Sequence, residues 1–457
     1  MKQSPTRLKK RVSLSALILI GFLVVAVRYR TETARETLME IARRNRITMA
    51  ESASFGAKRP VFSSNVDDGE AWPYYLKALT KQKEIYESQV KGSSGFYGIS
   101  NLKESKPSQS EAAGREVFAY RDALLLIQKA QNQQFFCRPE NRTERFYDQV
   151  LPPYEVEKLS DLLIVASRLA ETDGKQMEAI QLALRAYCLW EDLFFVTTWY
   201  HAGQVFQHQS VVLHRILKLL SQNRLQSPEY AQLQAHLMSL YQTQVPWSAK
   251  MRYQRVGFLA RITKPAIDRR FGEYGTFVSH CGGKPSQLKL KMEEIERSLE
   301  GHFFLPRTLA FIQKKDQVFQ LLEKAESLDL RSLLRAIPAT QDKESLLNAW
   351  QIQAEFRACL FIVSLHQKSI EQRTSPTNIS ELIQQVTASS PAKDPFSSAP
   401  FLYRLDSHGT GLVFWSLGPD LDDDGGKSVP EPDWLNSNQD GDLVFQAQLS
   451  TNYTILE

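Results

Sequence analysis

The chain has 457 residues, of which 42% are hydrophobic, 23% charged and 10% aromatic. This is an ordinary globular composition, long enough for two or three domains and a sizeable core, and it excludes a disordered or collagen-like chain. The net charge of +5 is unevenly placed: residues 394–457 carry eleven acids against two bases, Arg404 and Lys427, so the tail holds −9 and the rest +14. Such a split points to two parts in different electrostatic roles.

At the N-terminus, Lys2, Arg7, Lys9, Lys10 and Arg11 precede an uncharged apolar run from Val12 to Val27. As a helix, this run spans roughly 24 Å, a little short of a hydrocarbon core of about 30 Å. Arg11, Arg28 and Arg30 can snorkel, and Tyr29 suits an interface. The expectation is an uncleaved signal anchor over residues 12–29 in the inner membrane. The basic tail of residues 1–11 then lies in the cytoplasm and nearly everything else outside the membrane. A cleaved signal peptide is the alternative, although its weak site at Val24 and Ala26 falls inside the apolar run.

Residues 31–49 read as a charged helical stalk and 52–65 as a connector. DDGEAWPYYLKALTKQKEIY begins with acids and a Pro near the first turn, then runs helical. Residues 91–110, rich in Gly, Ser and Lys, predict an exposed loop. Helical periodicity resumes over 110–134, and a bend follows around CRPENRTERF.

The clearest pairing is 159–195. Leu163, Ala166, Leu169 and Ala170 mark one apolar face; after the ETDGK turn, Ala179, Leu182, Ala183 and Ala186 mark another. This small-residue helix pair resembles a tetratricopeptide-type unit, without a second copy at a 34-residue period. Further helices are expected at 197–221, 227–244, 246–264, 288–300, 305–326 and 342–373, with a basic loop at 279–287. After Thr374 a short helix in SPTNISELIQQV precedes strand-like alternation in PAKDPFSSAPFLYRL, GTGLVFWSLGPD and 442–449. The fold class is therefore mainly α, with a helical body over 30–340 and a small C-terminal α+β module with short antiparallel strands over 341–457.

Four features of that module carry a resemblance: the long helix ending in SPTNISELI, the segment KDPFSSAPFLYR, the strand VFWSLGPD and the acidic loop after it. Together, over residues 342–445, they resemble the C-terminal half of the major pseudopilin of type II secretion systems. Asp394 and Pro395 match its DP pair, Pro400, Phe401 and Tyr403 its aromatic strand, and Ser416, Gly418, Pro419 and Asp420 its S-x-GPD. Phe396 stands where that family has Trp, and Arg373 and Ser375 replace its usual Gly and Tyr before the Pro. The anchor lacks the prepilin cleavage motif, and some 310 residues separate it from the long helix. The resemblance thus implies a pseudopilin-like tail on an anchored helical body, not a filament subunit.

The acidic stretch has its own physical reading. Asp420, Asp422, Asp424, Gly425 and Glu431 fit the calcium-loop pattern D-x-D-x-D-G-x5-E. Alternate aspartates in a tight turn can aim oxygens at one centre, Glu431 can close the shell, and Gly426 sits where a backbone carbonyl contributes. A second half-motif, Asn436 to Asp442, adds Asp440 and Asp442, and both segments can share one ion. The flanks are not those of an EF-hand, since a strand enters and Pro430 and Pro432 bracket Glu431. A solvated acidic turn without an ion is the alternative.

Other candidates are weaker. His201 and His208 are too far apart on a helix, about 10.5 Å, for one metal, and His214 is an ordinary helix histidine. His280 and Cys281 adjoin in a loop, and neighbours rarely pair as base and nucleophile. Cys137, Cys188, Cys281 and Cys359 form no C-x-x-C; Cys188 and Cys359 sit in apolar helical contexts that suit buried thiols. The basic, aromatic-interleaved stretch 249–271 suits lipid headgroups or the acidic tail better than nucleic acid in this compartment. No P-loop, G-x-G-x-x-G or G-x-S-x-G is present, and no small-molecule substrate is indicated. The expected function is that of an anchored extracytoplasmic structural or interaction protein with a calcium-ordered loop and an envelope protein as partner. The alternatives are an accessory component of a type II secretion or pilus-like machine, and a hydrolase without a linear motif.

Overall fold

The computed structural model describes residues 67–92, 110–136, 153–193, 202–222, 224–243, 343–372, 379–389, 393–397, 399–405, 411–418, 421–427 and 441–448. All belong to one of two compact units, the one built from Ser52–Gln254, His302–Ile312 and Gln341–Glu457. The expected anchor at 12–29, the stalk, the connector 52–65, most of the 91–110 loop, the basic stretch 249–271, the loop 279–287 and the helices at 246–264, 288–300 and 305–326 lie outside the described residues. Among the described residues no helix is long and apolar enough to cross a membrane.

The architecture is mainly helical, with a three-stranded antiparallel sheet near the C-terminus. β1 (Asp67–Glu70) leads into α1 (Trp72–Gly92). The acids expected to open this helix lie instead in β1, which pairs in parallel with β2 (Gln133–Phe135). The pairing is held by Asp67 N donating to Asn132 O at 3.2 Å and Gln133 Nε2 to Asp67 Oδ2 at 3.2 Å. Trp72 N donates to Phe136 O, and Trp72 and Tyr75 pack on the Phe136 ring. The strand partner is 66 residues away, which local propensity cannot register.

The single helix expected over 110–134 is two, α2 (Ser110–Ala119) and α3 (Arg121–Gln131), broken at the fully buried Tyr120. The hydroxyl of Tyr120 accepts from Lys158, whose ammonium also lies over the Tyr86 and Tyr120 rings. Tertiary anchoring of one aromatic thus overrides continuous helical periodicity.

The expected helix pair is present as α4 (Pro153–Thr172) and α5 (Gln176–Leu193). Its turn is a Schellman motif: Lys175 N donates to Ala170 O, Gly174 N to Glu171 O, and Gly174 takes φ 76°. Ala179, Ala183 and Ala186 are fully buried, so the two helices approach closely, and Trp190 Nε1 donates to Ser160 Oγ across them.

Next come α6 (Ala202–Ser221) and α7 (Ser227–Thr243). Buried Arg215 of α6 pairs with Glu171 at 2.6 Å and donates to the Ser167 carbonyl and hydroxyl, tying α6 to α4. Burial works against the Glu171 charge, but bonds from Gln222 and Arg215 outweigh it and hold the carboxyl below its ordinary range.

The long helix α8 (Lys343–Gln372) packs on α6 and α7, and α9 (Ile379–Ser389) packs on α8. Ala358, Cys359, Leu360, Phe361, Ile362 and Val363 are consecutive and all buried, so this stretch has no solvent face. Cys188 and Cys359 are both buried and neither is in a disulfide; Cys137 and Cys281 lie outside the described residues. His366 stacks on Tyr230, and burial lowers its pKa to about 4.

β3 (Leu402–Leu405), β4 (Gly411–Ser416) and β5 (Leu443–Gln448) form the sheet in that order, and β5 lies against α6 and α8. Strict alternation buries Leu443, Phe445 and Ala447 on one face. Phe414 and Phe445 pair across strands, and Phe361 of α8 completes a cluster with Phe401 and Phe414, its ring 4.8 Å from Phe414. Phe414→Ala is expected to destabilise this unit by about 3–5 kcal/mol and Phe414→Leu by much less, as read by hydrogen exchange of β4 and β5.

Candidate functional site

The acidic loop leaves the end of β4 and is fastened at both ends. At its start, Asp394 is 1% exposed. Its carboxylate accepts five hydrogen bonds: Phe396 N, Ser397 N, Ser397 Oγ, Ser416 Oγ and Leu417 N, at 2.6–3.4 Å. A buried carboxylate is tolerated when donors replace its water. Ser416 Oγ also accepts from Gly418 N at 3.3 Å, and Asp394 N donates to Ala399 O at 2.8 Å. The DP turn and the S-x-G step after β4 are thereby one hydrogen-bonded unit.

At its far end the loop meets β5. Gly426 N donates to Asp442 Oδ2 at 2.8 Å, and Asp442 N donates to Lys427 O at 3.0 Å. Between these points the loop folds over Trp415. Trp415 Nε1 donates to Asp423 Oδ1 at 3.1 Å, and Gly425 N donates to the same oxygen at 2.9 Å. Arg404, diagonal to Trp415 on β3, lies over the indole ring and donates to Gly425 O at 2.6 Å.

Gly426 has φ 74°, and a Cβ there would stand 3.0 Å from the indole ring. Both conformation and space therefore demand glycine. Leu421 is also in the left-handed region, at φ 64°. That conformation costs an L-residue about 1–2 kcal/mol, and it sits between two expected ligand positions.

Of the expected ligands, Asp420, Glu431 and Asp440 lie outside the described residues. Asp422 is exposed and its Oδ1 accepts from Asp423 N; Asp424 is half-buried with Oδ2 shielded from solvent. Asp442 is buried and touches Gly426, which brings the two acidic segments together. Gly426 meets Asp442 through its N–H. Among the described residues no group of three or more His, Cys, Asp and Glu side chains is placed to hold a metal. Asp423, not counted among the ligands, instead accepts from Trp415 Nε1 and Gly425 N.

A second polar cluster joins α6 and α8. Glu355, 1% exposed, accepts from Ser210 Oγ and Gln351 Nε2, each at 2.8 Å. His214 Nε2 is 3.7 Å from Glu355 Oε1, and His214 Nδ1 is 3.3 Å from Ser210 Oγ. Burial raises the Glu355 pKa, against His214, Gln351 and Ser210, which lower it. The Ser210 hydroxyl donates to the acid at the shorter distance, and its contact with the imidazole is the longer one. His208, one of the three helix histidines, stacks flat on Trp190 with ring centroids 4.5 Å apart; His201 lies outside the described residues. Glu355 sits in a run read as apolar helix, and no linear signal ties it to Ser210, 145 residues away.

Comparison with protein-family models, with curated proteins and with solved structures returns no match.

Removing the Asp394 carboxylate with Asp394→Ala leaves five donors stranded and is expected to cost about 3 kcal/mol or more, against about 1–2 kcal/mol for Ser416→Ala. The double variant should cost less than the two together, because both act on one network. Gly426→Ala is expected to lose about 1–3 kcal/mol. Hydrogen exchange at 411–427 against global unfolding reads all of these.

Proposed function

We propose that the chain is a membrane-anchored extracytoplasmic structural or interaction protein whose pseudopilin-like tail carries a calcium-ordered acidic loop. The observation that carries this reading is the meeting of Gly426 with Asp442. It joins the loop at Gly426 to Asp442 at the start of the last strand, which supports a reading in which aspartates from both acidic segments share one ion. Asp420, Asp422, Asp424 and Glu431 would supply side-chain oxygens, with Asp440 and Asp442 from the second segment and the Gly426 carbonyl; calcium takes six to eight oxygens. Asp423, held by Trp415 and Gly425, lies outside this ligand set. Gathering this much carboxylate around a left-handed Leu421 is favoured by a cation that offsets the mutual repulsion.

The order long helix, short helix, two strands, acidic loop, strand agrees with the resemblance of residues 342–445 to the major pseudopilin. The anchor reading rests on the apolar run at 12–27 and its basic flanks.

Calorimetry of the full chain in detergent tests the ion. Calcium is expected to bind with a dissociation constant of about 0.1–1 mM, as extracellular modules do, and the Asp422→Ala, Asp424→Ala double variant to lose the heat. Absence of calcium-dependent heat in the wild-type chain returns the loop to plain solvated charge.

A further inference from the structure

The Glu355 cluster is used by neither the acidic loop nor the anchor, yet it lies in the seam between α6 and α8. Two acceptors there stand out. Glu355 Oε2 and Gln351 Oε1 are both shielded from solvent and neither has a hydrogen-bond partner. The other halves of the same two groups are already joined, Gln351 Nε2 donating to Glu355 Oε1 at 2.8 Å. Buried acceptors left over in a native core call for a missing donor. One proton on Glu355 Oε2 supplies it, turning an acceptor into a donor that can serve Gln351 Oε1 in an acid–amide pair.

We propose that Glu355 and His214 form a proton-operated latch between α6 and α8. The seam is closed while Glu355 is protonated and loosens as that proton leaves. An ionised carboxylate at 1% exposure has lost its water and keeps only the Ser210 and Gln351 donors. Among the described residues His214 is the cation-forming group that faces it, 3.7 Å away, with a side chain 55% exposed. On its own helix the titratable neighbour is Cys359, a buried thiol pushed well above its ordinary range by burial and by Glu355. Tyr187 of α5, stacked on Phe356 next to Glu355, is driven far up by burial and stays neutral. Among the described residues no charged group of α7, α9 or β5 faces Glu355.

Burial raises the Glu355 pKa above the ordinary carboxylate value of 4.5, so the folded chain holds this proton where the unfolded chain has released it. The stabilisation from the protonated latch is complete below about pH 4.5 and is lost as pH rises through the raised Glu355 value.

The test is hydrogen exchange of the full chain in detergent between pH 4.5 and 8, corrected for intrinsic rates and read on peptides of α6 and α8. The opening equilibrium of the wild-type seam is expected to rise by up to tenfold per pH unit within the window, the limit for one proton. Glu355→Gln, which keeps the Ser210 contact and cannot ionise, is expected to flatten that dependence. His214→Gln removes the charge that favours ionised Glu355 and is expected to move the loss to higher pH. A wild-type seam with no pH dependence, or the same slope in Glu355→Gln, overturns the latch. Should Glu355→Gln fail to fold, the surface-reaching His214→Gln decides, and an unshifted profile overturns the pairing.

Discussion

A helix with no solvent face has to be covered on every side, and the stretch around Phe361 of α8 is such a helix. Exposing a single Leu or Phe from it would forfeit about 1.5–3 kcal/mol. Its neighbours are therefore arranged by its need: α6, α7, α9 and β5 all pack on α8. The cluster of Phe361, Phe401, Phe414 and Phe445 makes the sheet part of that cover and not an appendage. The same burial gives the polar residues of α8 their character. Glu355 and His366 sit where water cannot reach, and each is shifted toward its neutral form.

The acidic tail handles its charge in two ways. Asp394 and Asp442 are buried and act as acceptors, one for the turn and strand end that open the loop, the other for the backbone that closes it. Asp422 and Asp423 are exposed, where charge is cheap, and Asp423 is still employed by the Trp415 indole. Asp394, Asp423 and Asp442 thus all act as acceptors within the fold, two of them buried and one exposed. These contacts make Trp415, Arg404 and Gly426 as important to the loop as the acids themselves.

The sequence was most legible where its signals were local. Periodicity placed the helix pair around ETDGK and the long helix at 342–373 within a few residues, and alternation placed all three strands of the C-terminal sheet. Three features were hidden because their causes are distant. Asp67 and Asp68 read as a helix start, yet their backbone pairs with Gln133 to Phe135. Tyr120 reads as one more helical residue, yet Lys158 holds it out of register. Glu355 reads as a helix glutamate, and only the fold brings Ser210 and His214 to it. In the acidic loop the aspartate spacing drew notice to Asp422 and Asp424. The fastening role of Asp394 was visible only as half of a DP pair, because its partner Ser416 is 22 residues on.

The bond from Asp442 N to Lys427 O closes the chain on itself at 3.0 Å. It holds the end of the acidic loop beside the start of β5, so in polymer terms these two residues are the ends of a closed loop. Each doubling of the length between such ends adds only about 0.6 kcal/mol of closure entropy. The cost of closure therefore sets little limit on how many residues the chain carries between Lys427 and Asp442.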